Sequence, residues 1–138
     1  MKNVNDLFSW YENLSPKTLD QIDQYYTKDV YFKDPFNEFA DVELLKNIYA
    51  EMFEKMENPH FIFIDKVIQD EQLFLTWDFN FVLNKKAYTI HGGSHLKLNK
   101  DNLIQYHRDY WDVGEEVLMK IPVVKNLYSA FRNKLSST

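Results

Sequence analysis

The chain has no cysteine among its 138 residues, so disulfides, thiolate nucleophiles and Cys-ligated zinc are excluded. Positive charge is short as well: 16 Lys and Arg stand against 21 Asp and Glu, for a net charge of −5. Sequence-independent affinity for nucleic acid comes from clustered Lys and Arg, so no nucleic-acid partner is expected. No apolar run approaches the roughly 20 residues that a membrane span needs. The N-terminal stretch carries Asp6, Glu12, Asp20 and Asp23 and lacks an apolar segment. A signal peptide is therefore not expected, and a cytoplasmic location is. Internal repeats, low-complexity segments and linkers are missing too.

Aromatic rings are abundant: 11 Phe, 9 Tyr and 3 Trp make up 17% of the chain. Such rings fill cores, line pockets and populate interfaces. The length suits one domain with a single sizeable core.

Leu7, Phe8, Tyr11 and Leu14 lie at helical spacing over residues 5–14. Ser15-Pro16 reads as a cap and a first helical position, starting a second helix through about Tyr26. A short strand is expected over 30–34. Asp41 caps a third helix, in which Val42, Leu45, Ile48, Tyr49, Met52, Phe53 and Met56 form one stripe, and Asn58-Pro59 ends it. From there the period changes. Residues 60–69, 72–83, 86–98 and 102–113 read as long strands joined by short turns. Gly92-Gly93 suggests a bulge that bends the third of them.

Helices first and a meander second imply an α+β fold: a cone-shaped, curved antiparallel sheet with three N-terminal helices packed on its concave face. From Pro122, Val123, Val124, Leu127, Tyr128, Phe131 and Leu135 mark a C-terminal amphipathic helix. We take 1–113 as the cone and 114–138 as a helical extension of the same domain. That helix packs on the cone, meets a partner subunit, or touches a membrane surface. Three cations (Lys125, Arg132, Lys134) argue against the membrane.

The segment TLDQIDQYYTKDVYFKDP, ending in Asp34-Pro35, resembles the nuclear-transport-factor-2-like superfamily, which includes ketosteroid isomerases and SnoaL-like polyketide cyclases. Proline biases Asp34 to extended geometry at a strand end. The final hairpin, SHLKLNKDNLIQYHRDYW, is similar to the last two strands of the isomerases. The resemblance implies that Asp34 is a general base and that Trp10 and Ser94 stand where the isomerases keep two oxyanion donors. It also implies that Trp111 belongs to the pocket floor. Those two donor positions hold different side chains here, so steroid isomerisation by the same apparatus is not expected.

Strand alternation puts Leu103, Gln105, His107, Asp109 and Trp111 on one face, which the resemblance turns inward. Ile104, Tyr106 and Tyr110 fall on the other. A buried carboxylate needs partners, so His107 and Asp109 should share a hydrogen bond or meet water in a cavity. Two readings stay open at each carboxylate. His107–Asp109 is an acid/base pair or a polar brace of the strand; Asp34 is a base or the cap of its turn. Trp77 and Phe79, on the apolar face of residues 72–83, are expected pocket walls. His91 and His95 should point outward unless a bulge reverses them. Four residues apart on a strand they stand roughly 13 Å apart, so no metal is expected.

The expected function is binding of a small apolar ligand in the cone by a SnoaL-like protein. Isomerase, cyclase or hydrolase-type acid–base chemistry on an apolar carbonyl or cyclic metabolite would need no cofactor. The alternative is a non-catalytic ligand-binding or scaffold domain. A homodimer through the sheet is the expected assembly.

Overall fold

In the computed structural model, which describes residues 3–116 and 122–135, helix α1 (Val4–Glu12) opens on a reciprocal cap. The Asn3 side chain accepts from the Asp6 N–H, and Asp6 accepts from the Asn3 N–H. The expected second helix is instead a 3-10 turn, Thr18–Gln24, tied at its start by Ser15 and Thr18. It stops early because the sheet claims the next residues. The Ile104 N–H donates to the Tyr25 carbonyl at 2.8 Å, and Tyr26 already begins β1 (Tyr26–Lys33).

A short β2 (Glu38–Ala40) folds back on β1, and Asp41 then caps α2 (Val42–Lys55) by accepting from the Glu43 N–H at 2.9 Å. The long strands follow as β3 (Glu57–Gln69), β4 (Gln72–Leu83), β5 (Lys86–Leu98) and β6 (Ile104–Trp111). Val113–Glu116 form a short α3, and α4 spans Pro122–Leu135.

The six strands make one curved, unclosed sheet in the order β2-β1-β6-β5-β4-β3. The sheet is not wholly antiparallel as expected, because β1 and β6 run parallel. Distant segments joined by a long crossover can pair that way, whereas hairpins cannot. One face carries the core: Leu7 and Phe8 of α1, Val42 and Leu45 of α2, and Leu73, Leu75, Leu96 and Ile104 of the sheet. The Phe8 ring meets Phe63 edge-on at 5.6 Å, and α2 packs on β1 and β3.

Two expectations about strand phase need correction. No bulge interrupts β5 at Gly92-Gly93; its pairing with β4 runs unbroken from Lys86 to Lys97. Glycine is required at 92 for another reason, since a Cβ there would lie 2.5 Å from the Trp77 ring. The irregularity sits instead between Lys97 and Leu98, where Tyr106 and then Ile104 are the partners on β6. That shift turns Ile104 into the core and leaves Gln105 exposed, so the inward set is Ile104, His107, Asp109 and Trp111. Leu103 and Gln105 leave it.

On the outer face, Ile62, Val67 and Phe74 of β3 and β4 and Tyr110 of β6 are exposed, whereas Ile104 is buried. In α4 the exposed Leu127 and Leu135 are described, while the side chains of Val123, Val124, Tyr128 and Phe131 lie outside the described residues. Among the described residues, no helix is long and apolar enough to cross a membrane.

Candidate functional site

A row of hydrogen bonds crosses the inner face of the sheet. The Trp77 indole N–H donates to Ser94 Oγ at 2.8 Å, and the Ser94 hydroxyl donates to Asp109 Oδ1 at 2.5 Å. From the other side His107 Nε2 reaches the same oxygen at 2.6 Å, and the Tyr26 hydroxyl lies 2.8 Å from His107 Nδ1. An ionised carboxylate only accepts, so Nε2 carries the hydrogen toward Asp109 and Nδ1 accepts from Tyr26. The Tyr26 ring also stacks on His107 at 12°.

Behind this row, Tyr49 of α2 and Tyr11 of α1 pair through their hydroxyls at 3.0 Å. Burial pushes the Tyr26 hydroxyl well above its ordinary pKa, and the neighbouring Tyr49 and Asp109 add to the effect. Burial does the same for Tyr49, with the Asp109 charge next. Both remain protonated donors through neutral pH.

Asp109 and Trp77 are the members of this row that border a large space. His107 keeps 3% of its side-chain surface and Asp109 15%. A cavity of about 410 Å³ lies between α2 and the sheet. Phe32, Tyr49, Met52, Phe61, Trp77, Phe79, Phe81 and Trp111 supply its apolar walls, and Asp34, Phe36 and Asp109 also border it. The Phe61 and Phe79 rings stack at 4.7 Å. This is the scale and lining of a small-molecule site. Among the described residues, Trp111 Nε1 is the one buried side-chain polar atom without a hydrogen-bond partner. A second, more open hollow of about 510 Å³ shares Asp34, Asp109 and Trp111 and adds Lys33, His91 and Arg108.

Asp34 borders the same cavity but is held in its own turn. Its Oδ1 accepts from the Phe36 N–H at 2.8 Å, the Asn37 N–H at 2.6 Å and the Asn37 side-chain amide at 3.1 Å. Its Oδ2 also lies 3.2 Å from that amide. The Asp34 N–H closes the turn on the Asn37 carbonyl at 2.9 Å.

Trp10 is not brought to the site. Its N–H is used by the Thr18 carbonyl at 2.9 Å, and its ring stacks on Tyr25 at 4.7 Å. Tyr11, one residue on, turns toward His107 instead, with ring centres 6.4 Å apart. Ser94 is buried and spends its hydroxyl on Asp109. His91 bonds Asp78 and His95 bonds Gln72 on the outer face. Among the described residues, no three His, Asp or Glu side chains gather as a metal site would require.

The model of the SnoaL-like domain matches residues 8–107. The chain belongs to that family. No curated protein matches the sequence. Among solved structures, an LEH-like epoxide hydrolase from M. tuberculosis aligns with a TM-score of 0.71 at 10% identity, covering 92% of this chain and 95% of that one. A hypothetical protein from Catenulispora acidiphila with a ketosteroid isomerase-like fold, solved with trimethylamine, gives 0.67 at 13%, covering 83% and 89%. A proposed SnoaL-like polyketide cyclase from Jannaschia gives 0.69 at 10%, covering 81% and 86%. At such identities the likeness establishes the fold of this SnoaL-like domain. Its chemistry has to be argued from the site.

Tyr26, Tyr49 and Tyr11 are site residues that sequence reasoning passed over. Tyr49 carried a usable signal. A tyrosine inside the buried stripe of α2 needs a partner for its hydroxyl, and that partner has to lie in the core.

Proposed function

We propose that this SnoaL-like domain binds a small, largely apolar molecule in the 410 Å³ cavity and exchanges a proton with it through Asp109. The observation that carries the reading is a carboxylate with one oxygen anchored by Ser94 and His107, set in the wall of a largely apolar cavity. An anchored carboxylate keeps its aim, and general-base catalysis depends on geometry before strength. With an apolar ketone bound, Asp109 takes a proton from the carbon beside the carbonyl. The C–H electrons pass into the enolate, and the resulting carboxylic acid returns a proton to the same carbon or a conjugated one. His107 serves as the donor that holds the base. Asp34 serves the turn, since three N–H groups already converge on its Oδ1.

A second reading is hydrolytic. A chamber of about 20 Å³, bordered by Tyr11, Tyr49, Ser94, His107 and Asp109, has room for one water, and Asp109 borders both spaces. The epoxide hydrolase among the structural relatives makes this the natural alternative by fold analogy alone. As assembly we propose a homodimer through the outer face that carries Ile62, Val67 and Phe74.

Incubation with cyclic ketones in D2O tests the first reading. Deuterium should enter beside the carbonyl, Asp109→Asn should slow this by about a hundredfold or more, and Asp34→Asn should leave it nearly unchanged. Conversion of epoxides or enones to hydrated products without exchange would select the hydrolytic reading. Binding without either reaction would leave a non-catalytic ligand carrier.

A further inference from the structure

Among the described residues, the Trp111 indole N–H finds no acceptor. An indole nitrogen has no acceptor role to fall back on, and shielding it from water costs about 1–3 kcal/mol. Trp77, its neighbour at 6.4 Å between ring centres, shows the contrast, because its own N–H is spent on Ser94. Trp111 stands in the wall of the same cavity as Asp109. It sits two residues further along β6, on the same face of the strand. The ring packed against it belongs to Phe36, 6.1 Å away, on the exposed turn that Asp34 closes. Phe36 is a surface element of the wall, a residue 67% exposed to solvent.

We propose that Trp111 Nε1 is the donor that receives an oxygen of the bound molecule, so that the site selects neutral, oxygen-bearing apolar ligands over hydrocarbons of the same shape. The inference rests on the cavity being a ligand site, and it deepens that reading by naming what the ligand must carry. The polar inventory of the cavity supports the choice. Asp34 and Asp109 disfavour an anion, Lys55 at the rim is paired with Glu51, and the indole supplies an uncharged donor. A carbonyl, ether or epoxide oxygen satisfies that donor without bringing charge into an aromatic space. The N–H is shielded from solvent, so a ligand has to displace part of the cavity wall to reach it.

A matched pair of ligands tests this without reference to turnover. 2-Decalone and 2-methylenedecalin share a shape and differ in one acceptor atom. The full chain is titrated with each while the indole ¹⁵N–¹H signals are followed. The ketone should move the Trp111 indole signal saturably and bind on the order of tenfold tighter than the hydrocarbon, the ratio that recovering one buried hydrogen bond implies. Trp111→Phe should bring the two affinities together, with the ratio of ketone to hydrocarbon affinity falling toward one. Equal affinities in the unaltered protein, or an unmoved Trp111 signal at saturation, would overturn the proposal whether or not the variant folds. Failure of both molecules to bind would remove the ligand cavity itself and this inference with it. Discrimination that survives without any deuterium exchange would leave the inference standing and refute proton transfer.

Discussion

Replacing Gly92 with alanine should be the most damaging single-methyl addition on the inner face of the sheet. The added Cβ would lie 2.5 Å from Trp77 Cη2 and 2.9 Å from both Cζ2 and Cζ3. Carbon atoms rest at about 3.5–4.0 Å, so the ring has to retreat by roughly 1 Å. It has little freedom to do so. Its N–H is bonded to Ser94 at 2.8 Å, Phe61 meets it edge-on at 5.5 Å, and Trp111 stands beyond. Overpacking of this kind costs about 1–3 kcal/mol, and breaking the bond to Ser94 would add about 1–3 more. The expected loss is about 2–6 kcal/mol, read as a lower urea midpoint at unchanged slope. Gly93→Ala is the control. Its Cβ would point to the outer face, 3.0 Å from the Leu75 carbonyl and 3.5 Å from Phe74, and should cost less. Trp77→Phe placed on the Gly92→Ala background should recover part of the loss, the non-additivity expected of side chains in contact. A loss below about 0.5 kcal/mol for Gly92→Ala would refute the close approach of Trp77, and with it the reason given for glycine at this position.

The buried tyrosines make stability sensitive to alkali. Tyr26 and Tyr49 are held above the ordinary tyrosine pKa in the folded chain, so above pH about 10 the unfolded chain loses protons that the folded chain keeps. Their contribution is fully present below that pH and is lost as pH rises, at about 1.4 kcal/mol per pH unit for each tyrosine. Tyr26→Phe or Tyr49→Phe should flatten the alkaline limb of the denaturation midpoint against pH, and an unchanged limb would contradict their burial. At the turn, Asp34→Ala removes the acceptor of three N–H groups and should lower stability by about 1 kcal/mol, whereas Asp34→Asn, which keeps a carbonyl oxygen, should cost less in the same urea assay.

The parts of this site that depend on local spacing were legible in the chain. His107 and Asp109, two residues apart on a strand, had to share a face, and they share a hydrogen bond. Pro35 announced that Asp34 ends a strand, but nothing nearby announced that Asn37 would bring both its amides onto the carboxylate. Trp10 and Tyr11 show how narrow the margin is on a helix. One residue is about 100° of rotation, enough to send Trp10 to the 3-10 turn and Tyr11 to the site. Tyr26 was hidden for a different reason. It reads locally as the end of a helix, and only its pairing with Ile104 across the fold makes it the first residue of a strand and the partner of His107. Gly92-Gly93 misled in the same way, because its explanation is a ring on another strand. The family resemblance carried the fold correctly. It could not carry the site, since two of the three polar positions it points to hold different side chains here.

The central claim is that Asp109, and not Asp34, meets a small molecule in the aromatic cavity. Side-chain ¹³C signals of labelled aspartates, followed while neutral cyclic ketones are added, test it most directly. The Asp109 carboxyl signal should move saturably while that of Asp34 stays in place. A moving Asp34 beside a still Asp109, or ligands that saturate the protein and leave both unmoved, would contradict it.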